Sequence, residues 1–237
     1  MAEAPAGPAP SAPRARRVEV PRTARYYTLG GPGAREVWVA LHGYGQLAEY
    51  FARHFAPHAA GRLVVAPEAL SRFYLPVAGG TGGANGAARV GATWMTREDR
   101  LNEIGDYVRY LDRALDAATE AEGVDPSAVP LCVLAFSQGT ATACRWAAHR
   151  YANGLARVER LVLWGGGVPP DFDLAGADGD ALRATRLTLV AGEADEFASP
   201  AAVAAESARL TGDGVGHDVV RYEGGHRIEE GVLGRVL

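Results

Sequence analysis

The chain contains no lysine: all 24 of its basic residues are arginine. That absence excludes a Schiff-base lysine, a phosphate-loop lysine and a Ser-Lys dyad. Cysteine is almost as scarce. Cys132 and Cys144 are the only two, with no Cys-x-x-Cys pair and no Cys/His cluster. They read as small buried apolar residues rather than as a disulfide or zinc ligands. No apolar run approaches the length that spans a membrane. The net charge of −4 offers no basic footprint for nucleic acid or an anionic surface. The first seventeen residues, rich in Ala and Pro, lack the apolar centre of a signal peptide and read as a disordered tail. These absences predict a cytoplasmic protein acting on a small molecule, with no metal and no cofactor, as a monomer or homodimer.

What is present is ordinary for a globular domain: 48% hydrophobic and 22% charged residues over 237 positions. Residues 18–237 suffice for one α/β domain with a full core. Short apolar runs alternate with helical patterns. Strands are expected over Val18–Val20, Ala24–Leu29, Glu36–Leu41, Arg62–Ala66, Leu131–Leu134, Arg160–Trp164, Arg186–Ala191 and His217–Tyr222. Helices are expected over Ala48–Ala60, after a cap at Thr96, over Thr140–Arg150, over Pro200–Leu210 and from Glu229. The helix after Thr96 carries Leu101, Ile104, Val108, Leu111 and Leu115 on one face. Such alternation predicts a mainly parallel central sheet flanked by helices, without a large cap domain. Pro67–Gly91 reads as a long irregular loop, Gly-rich from Ala78.

Polar and Gly-rich residues collect just after the strands, the edge where ligands bind in open α/β sheets. One such stretch is Ala135-Phe136-Ser137-Gln138-Gly139, between a buried strand and an Ala-rich helix. A small-x-Ser-x-Gly turn in that context is the pattern of a nucleophile elbow. The tight turn needs small neighbours and presents the hydroxyl at the positive end of a helix.

Acyl transfer to a serine needs a base, an orienting acid and donors for an oxyanion. His226 is the candidate base. It follows the last strand, and Gly224-Gly225 gives the backbone freedom to turn the ring inward. Asp195 is the candidate acid, chosen over Glu193 and Glu196 for its place after a strand and for the chain order Ser, Asp, His. The backbone amides of Gln138 and Tyr44 are the candidate oxyanion donors, the latter in His42-Gly43-Tyr44-Gly45. Phe73, Trp94, Met95 and Phe197 are candidate pocket residues at the same edge.

Leu-His-Gly-Tyr-Gly-Gln, Ala-Phe-Ser-Gln-Gly, Gly-Glu-Ala-Asp-Glu-Phe and Tyr-Glu-Gly-Gly-His together resemble the phospholipase/carboxylesterase family of α/β-hydrolases. The resemblance runs from about Glu36 to the end. It implies a Ser137-His226-Asp195 triad and an oxyanion hole from the His-Gly-Tyr segment and Gln138. Two departures stand out: Ala135 replaces the usual Gly, and Ser71–Met95 does not resemble the thioesterase branch. The expected activity is hydrolysis of short-chain carboxylic esters through an acyl-enzyme. Acyl-protein thioesterase, lysophospholipase and a catalytically silent ligand-binding hydrolase are the alternatives. A dienelactone hydrolase is disfavoured, since it would carry Cys as nucleophile.

Overall fold

The computed structural model describes residues 14–76 and 89–237. Seven strands form one sheet: β1 (Tyr26–Gly30), β2 (Val37–Leu41), β3 (Leu63–Pro67), β6 (Leu131–Phe136), β7 (Val158–Trp164), β8 (Arg186–Gly192) and β9 (His217–Tyr222). Their spatial order is β1-β3-β2-β6-β7-β8-β9. Only β1 runs antiparallel to its neighbour; every other pairing is parallel. β4 (Ser71–Tyr74) and β5 (Val90–Thr93) form a separate antiparallel hairpin.

The central strands are buried on both faces, which is why they read as unbroken apolar runs. In β2, Val37, Val39 and Leu41 face one side while Trp38 and Ala40 face the other. In β6, Val133 and Ala135 join the first side, and Leu134 and Phe136 the second. Two cores result. One packs the sheet against α2 (Arg100–Glu122), α3 (Gln138–Ala152), α4 (Ala177–Arg183) and α5 (Pro200–Gly212), with Tyr107, Trp146, Leu182 and Leu210 among its members. The other packs it against α1 (Ala48–Ala52), the 3₁₀ turn that follows and α6 (Glu230–Val236), through Phe51, Phe55 and Leu233. Among the described residues no helix is long and apolar enough to cross a membrane.

Several expectations need correction. Val18–Val20 forms no strand; it is exposed, and Pro21 beside it lacks the amide a ladder needs. The helix expected over Ala48–Ala60 becomes a 3₁₀ turn at Arg53–His58, where Pro57 removes a donor. Thr96 is not the cap of α2, which begins at Arg100; its amide instead donates to Glu103 at 2.5 Å. The irregular stretch after Pro67 contains the β4–β5 hairpin, and α4 had no counterpart in the sequence pattern. Residues 77–88, most of the Gly-rich segment, and residues 1–13 of the expected tail lie outside the described residues.

Candidate active site

Ser137 sits between β6 and α3 with φ 53° and ψ −118°. It is the only non-glycine with positive φ among the described residues. Such backbone geometry costs about 1–3 kcal/mol and persists only where surroundings over-determine it. Here the Ser137 amide donates to Trp164 O at 2.8 Å, and its carbonyl accepts from the Thr140 amide at 3.0 Å and hydroxyl at 2.7 Å. β7 and the first turn of α3 therefore clamp the serine from both sides.

Asp195 follows β8 and His226 follows β9, neighbouring strands whose ends bring the two side chains together. His226 Nδ1 lies 2.8 Å from Asp195 Oδ2, and His226 Nε2 lies 2.9 Å from Ser137 Oγ. Asp195 is 3% exposed. Burial alone would raise its pKa, but the Ala198 amide, the His226 ring and the Phe197 amide together hold it below the ordinary carboxylate value. Both amides donate to Oδ1 at 2.8 Å, leaving Oδ2 for the imidazole.

An ionised carboxylate only accepts, so the proton of the neutral imidazole belongs on Nδ1. Nε2 then presents its lone pair to the Ser137 hydroxyl. The ring packs against two tilted aromatic rings, with centroids 4.7 Å from Phe136 and 4.8 Å from Phe197. Glu193 and Glu196, the neighbouring carboxylates, are exposed. Neither Gly224 nor Gly225 has positive φ. The turn that carries His226 is fixed by the Ala194 amide donating to Gly224 O at 2.9 Å.

The loop after β2 closes over the serine. Gly43 faces it so closely that a Cβ there would stand 3.1 Å from Ser137 Cβ. The loop's own amides are mostly occupied. Gly43 N donates to Gln46 Oε1 at 2.8 Å, Gly45 N to Ala92 O at 2.9 Å, and Gln46 N to Gly43 O at 3.2 Å. The amides of Tyr44 and Gln138 have no acceptor among the described residues. Gln138 directly follows the serine, and Tyr44 directly follows the glycine that faces it.

His42 anchors this loop from behind. It is fully buried; its Nε2 accepts from the Ala69 amide at 3.1 Å, so Nδ1 carries the proton and donates to Gly43 O at 2.8 Å. Burial lowers its pKa, against the weaker opposing pulls of the Gly43 carbonyl and Glu68.

The proposed pocket residues divide. Phe73 on β4 packs against Tyr44 with centroids 5.1 Å apart, and Tyr44 is 60% exposed. Phe197, 73% exposed, flanks His226. Trp94 lies in the core behind the loop, donating from Nε1 to His42 O at 2.8 Å. Met95 is half-buried against the same core. Sequence reasoning did not find the carboxamide of Gln138 as a structural group. It reaches back to Thr93, Trp94 and Met95, and no sequence spacing announces that reach.

No family model matches the chain, and no curated protein matches its sequence. Solved structures do. Acyl-protein thioesterase 2 from Zea mays superposes with a TM-score of 0.65 at 20% identity, covering 90% of this chain and 96% of that one. A carboxylesterase from Mesorhizobium loti gives 0.64 at 20% identity, covering 90% and 93%. The carboxylesterase of Bacillus cereus gives 0.62 at 15% identity, covering 90% and 91%. With the mostly parallel sheet and flanking helices, this likeness shows the α/β-hydrolase fold.

Proposed function

We propose that this chain is a serine hydrolase of the phospholipase/carboxylesterase family that cleaves short-chain carboxylic esters. The observation that carries the reading is the relay from Asp195 through His226 to Ser137, at 2.8 and 2.9 Å, together with two amides, of Tyr44 and Gln138, that have no acceptor among the described residues.

In this mechanism Ser137 Oγ attacks the ester carbonyl carbon while His226 Nε2 takes its proton. The carbonyl oxygen becomes an oxyanion, received by the amides of Tyr44 and Gln138. One such donor contributes about 3–4 kcal/mol of transition-state stabilisation. Asp195 holds the Nδ1 proton and stabilises the imidazolium without taking that proton. Collapse of the tetrahedral adduct breaks the bond to the alkoxy oxygen, which leaves with the proton from His226. Water then attacks the acyl-enzyme, giving its proton to His226; the acid departs as Ser137 recovers its own.

The acyl group proposed is short, about six carbons or fewer. Support comes from the sequence, which has no amphipathic lid pattern between its strands and a Gly-rich stretch unsuited to forming a long apolar tunnel unaided. Tyr44 and Phe73, tilted against each other with centroids 5.1 Å apart, supply an apolar wall beside the hole. The test is kcat/KM on p-nitrophenyl esters and acyl thioesters of graded length. A maximum on short oxygen esters supports the reading. A maximum on long acyl thioesters moves the assignment to the thioesterase alternative, and no turnover of any ester moves it to a silent binding module.

A further inference from the structure

The side chain of Gln138 is fully engaged, and not with the serine. Its Oε1 accepts from the Trp94 amide at 3.1 Å, and its Nε2 donates to Thr93 Oγ1 at 2.9 Å and to Met95 O at 3.1 Å. Because Trp94 N is a donor, the atom facing it must be the carboxamide oxygen, which settles the orientation of the amide. Thr93 Oγ1 also contacts Oε1 at 3.1 Å and donates to Met95 O at 3.0 Å, closing the network. Thr93 ends β5 and is buried.

The same strand carries the oxyanion loop. Ala92 accepts from Gly45 N at 2.9 Å and donates to Gln46 O at 3.1 Å. Trp94 Nε1 holds His42 O at 2.8 Å. Gly91 meets Gly45 so closely that a Cβ there would stand 2.5 Å from Gly45 O. One oxyanion donor, the Tyr44 amide, thus rides on β5, while the other, the Gln138 amide, rides on the elbow. The Gln138 carboxamide spans the two.

We infer that the Gln138 side chain is a positioning group: through Thr93 and Trp94 it sets the separation of the two oxyanion donors. The inference rests on the serine-hydrolase reading and goes beyond it. Gln138 would then contribute a donor through its backbone and fix the partner donor through its side chain. A hole whose donors are displaced by about 1 Å loses on the order of a hundredfold in rate. Ground-state binding of the ester, which makes little use of the hole, is not affected.

The experiment compares Gln138→Ala, Thr93→Val, Thr93→Ser and the double variant Gln138→Ala/Thr93→Val on p-nitrophenyl acetate. Each kcat is taken per fluorophosphonate-titratable site, with folding checked by circular dichroism. Gln138→Ala keeps its backbone amide and should lose roughly 10- to 100-fold in kcat, with KM within about threefold. Thr93→Val, close in shape, should lose kcat in the same direction, and Thr93→Ser should restore it. Because the two groups act as one unit, the double variant should be no worse than Gln138→Ala alone. The acid limb of the pH–rate profile should not move, since His226 and Asp195 are untouched. Parental kcat in Gln138→Ala, a loss confined to KM, or multiplying losses in the double variant would overturn the inference. The serine reading is judged separately, from Ser137→Ala; these ratios are taken only among chains that keep Ser137.

Discussion

His226 Nε2 stands 2.9 Å from Ser137 Oγ across 89 residues of sequence, on the far side of the imidazole from a carboxylate that cannot donate to it. The contact joins the ends of β6 and β9, two strands that are not neighbours in the sheet. Its geometry makes the identity of the third residue decisive.

Asp195→Asn should keep the fold and lose several orders of magnitude in kcat. The amide can donate to Nδ1, which would favour the wrong tautomer and turn a proton toward Ser137. Glu193→Gln and Glu196→Gln, on exposed side chains, should stay within a few-fold of the parent. Steady-state kcat for the three variants decides it; the reverse ranking would move the acid to a different carboxylate.

Ala135 is fully buried in the core between β6 and the helices behind it. Ala135→Gly should leave turnover within a few-fold. Ala135→Val adds two carbons and a stiff χ1 two residues before the serine. Overpacking of that kind costs about 1–3 kcal/mol, and displacement of the elbow should lower kcat as well. Melting temperature and kcat measured together check both halves. A Val variant as active and as stable as the parent would contradict a tight elbow.

Stability should depend on pH through His42. Burial lowers its pKa in the folded chain, so the native state prefers the neutral ring while the unfolded chain titrates near 6.5. The unfolded state then binds more protons in the window between the two values. The stabilisation is fully present above about pH 6.5 and is lost as pH falls from there toward the folded pKa. His54, also lowered by burial, acts in the same direction. Thermal unfolding from pH 7 to pH 5 should show the fall, and His42→Gln should reduce its slope. Equal slopes in parent and variant would count against it.

Much of this architecture is legible in the sequence because its central strands are buried on both faces. The runs over Glu36–Leu41 and Leu131–Leu134 have no other economical reading, and each lies within one residue or two of an observed strand. Ser137, Asp195 and His226 stand out because each follows such a run, and the parallel sheet brings those ends to one edge. The β4–β5 hairpin is different. Its strands have four residues each, half of those in β4 are exposed, and fifteen residues separate them. Neither length nor alternation announces a pairing of that kind. Trp94 illustrates the same limit: a place at the strand edge makes it a candidate pocket wall, yet the hairpin turns its indole inward to hold His42 O. The reach of the Gln138 carboxamide depends on that hairpin and is invisible without it.

The central claim is that Ser137 is the nucleophile. Incubation with a fluorophosphonate, followed by peptide mass spectrometry, reads it directly. The account predicts one adduct, on the peptide containing Ser137, formed in parallel with loss of p-nitrophenyl acetate hydrolysis. It also predicts neither adduct nor turnover in a folded Ser137→Ala variant. Half the parental turnover surviving in Ser137→Ala, or an adduct on any other residue that tracks the loss of activity, would contradict it.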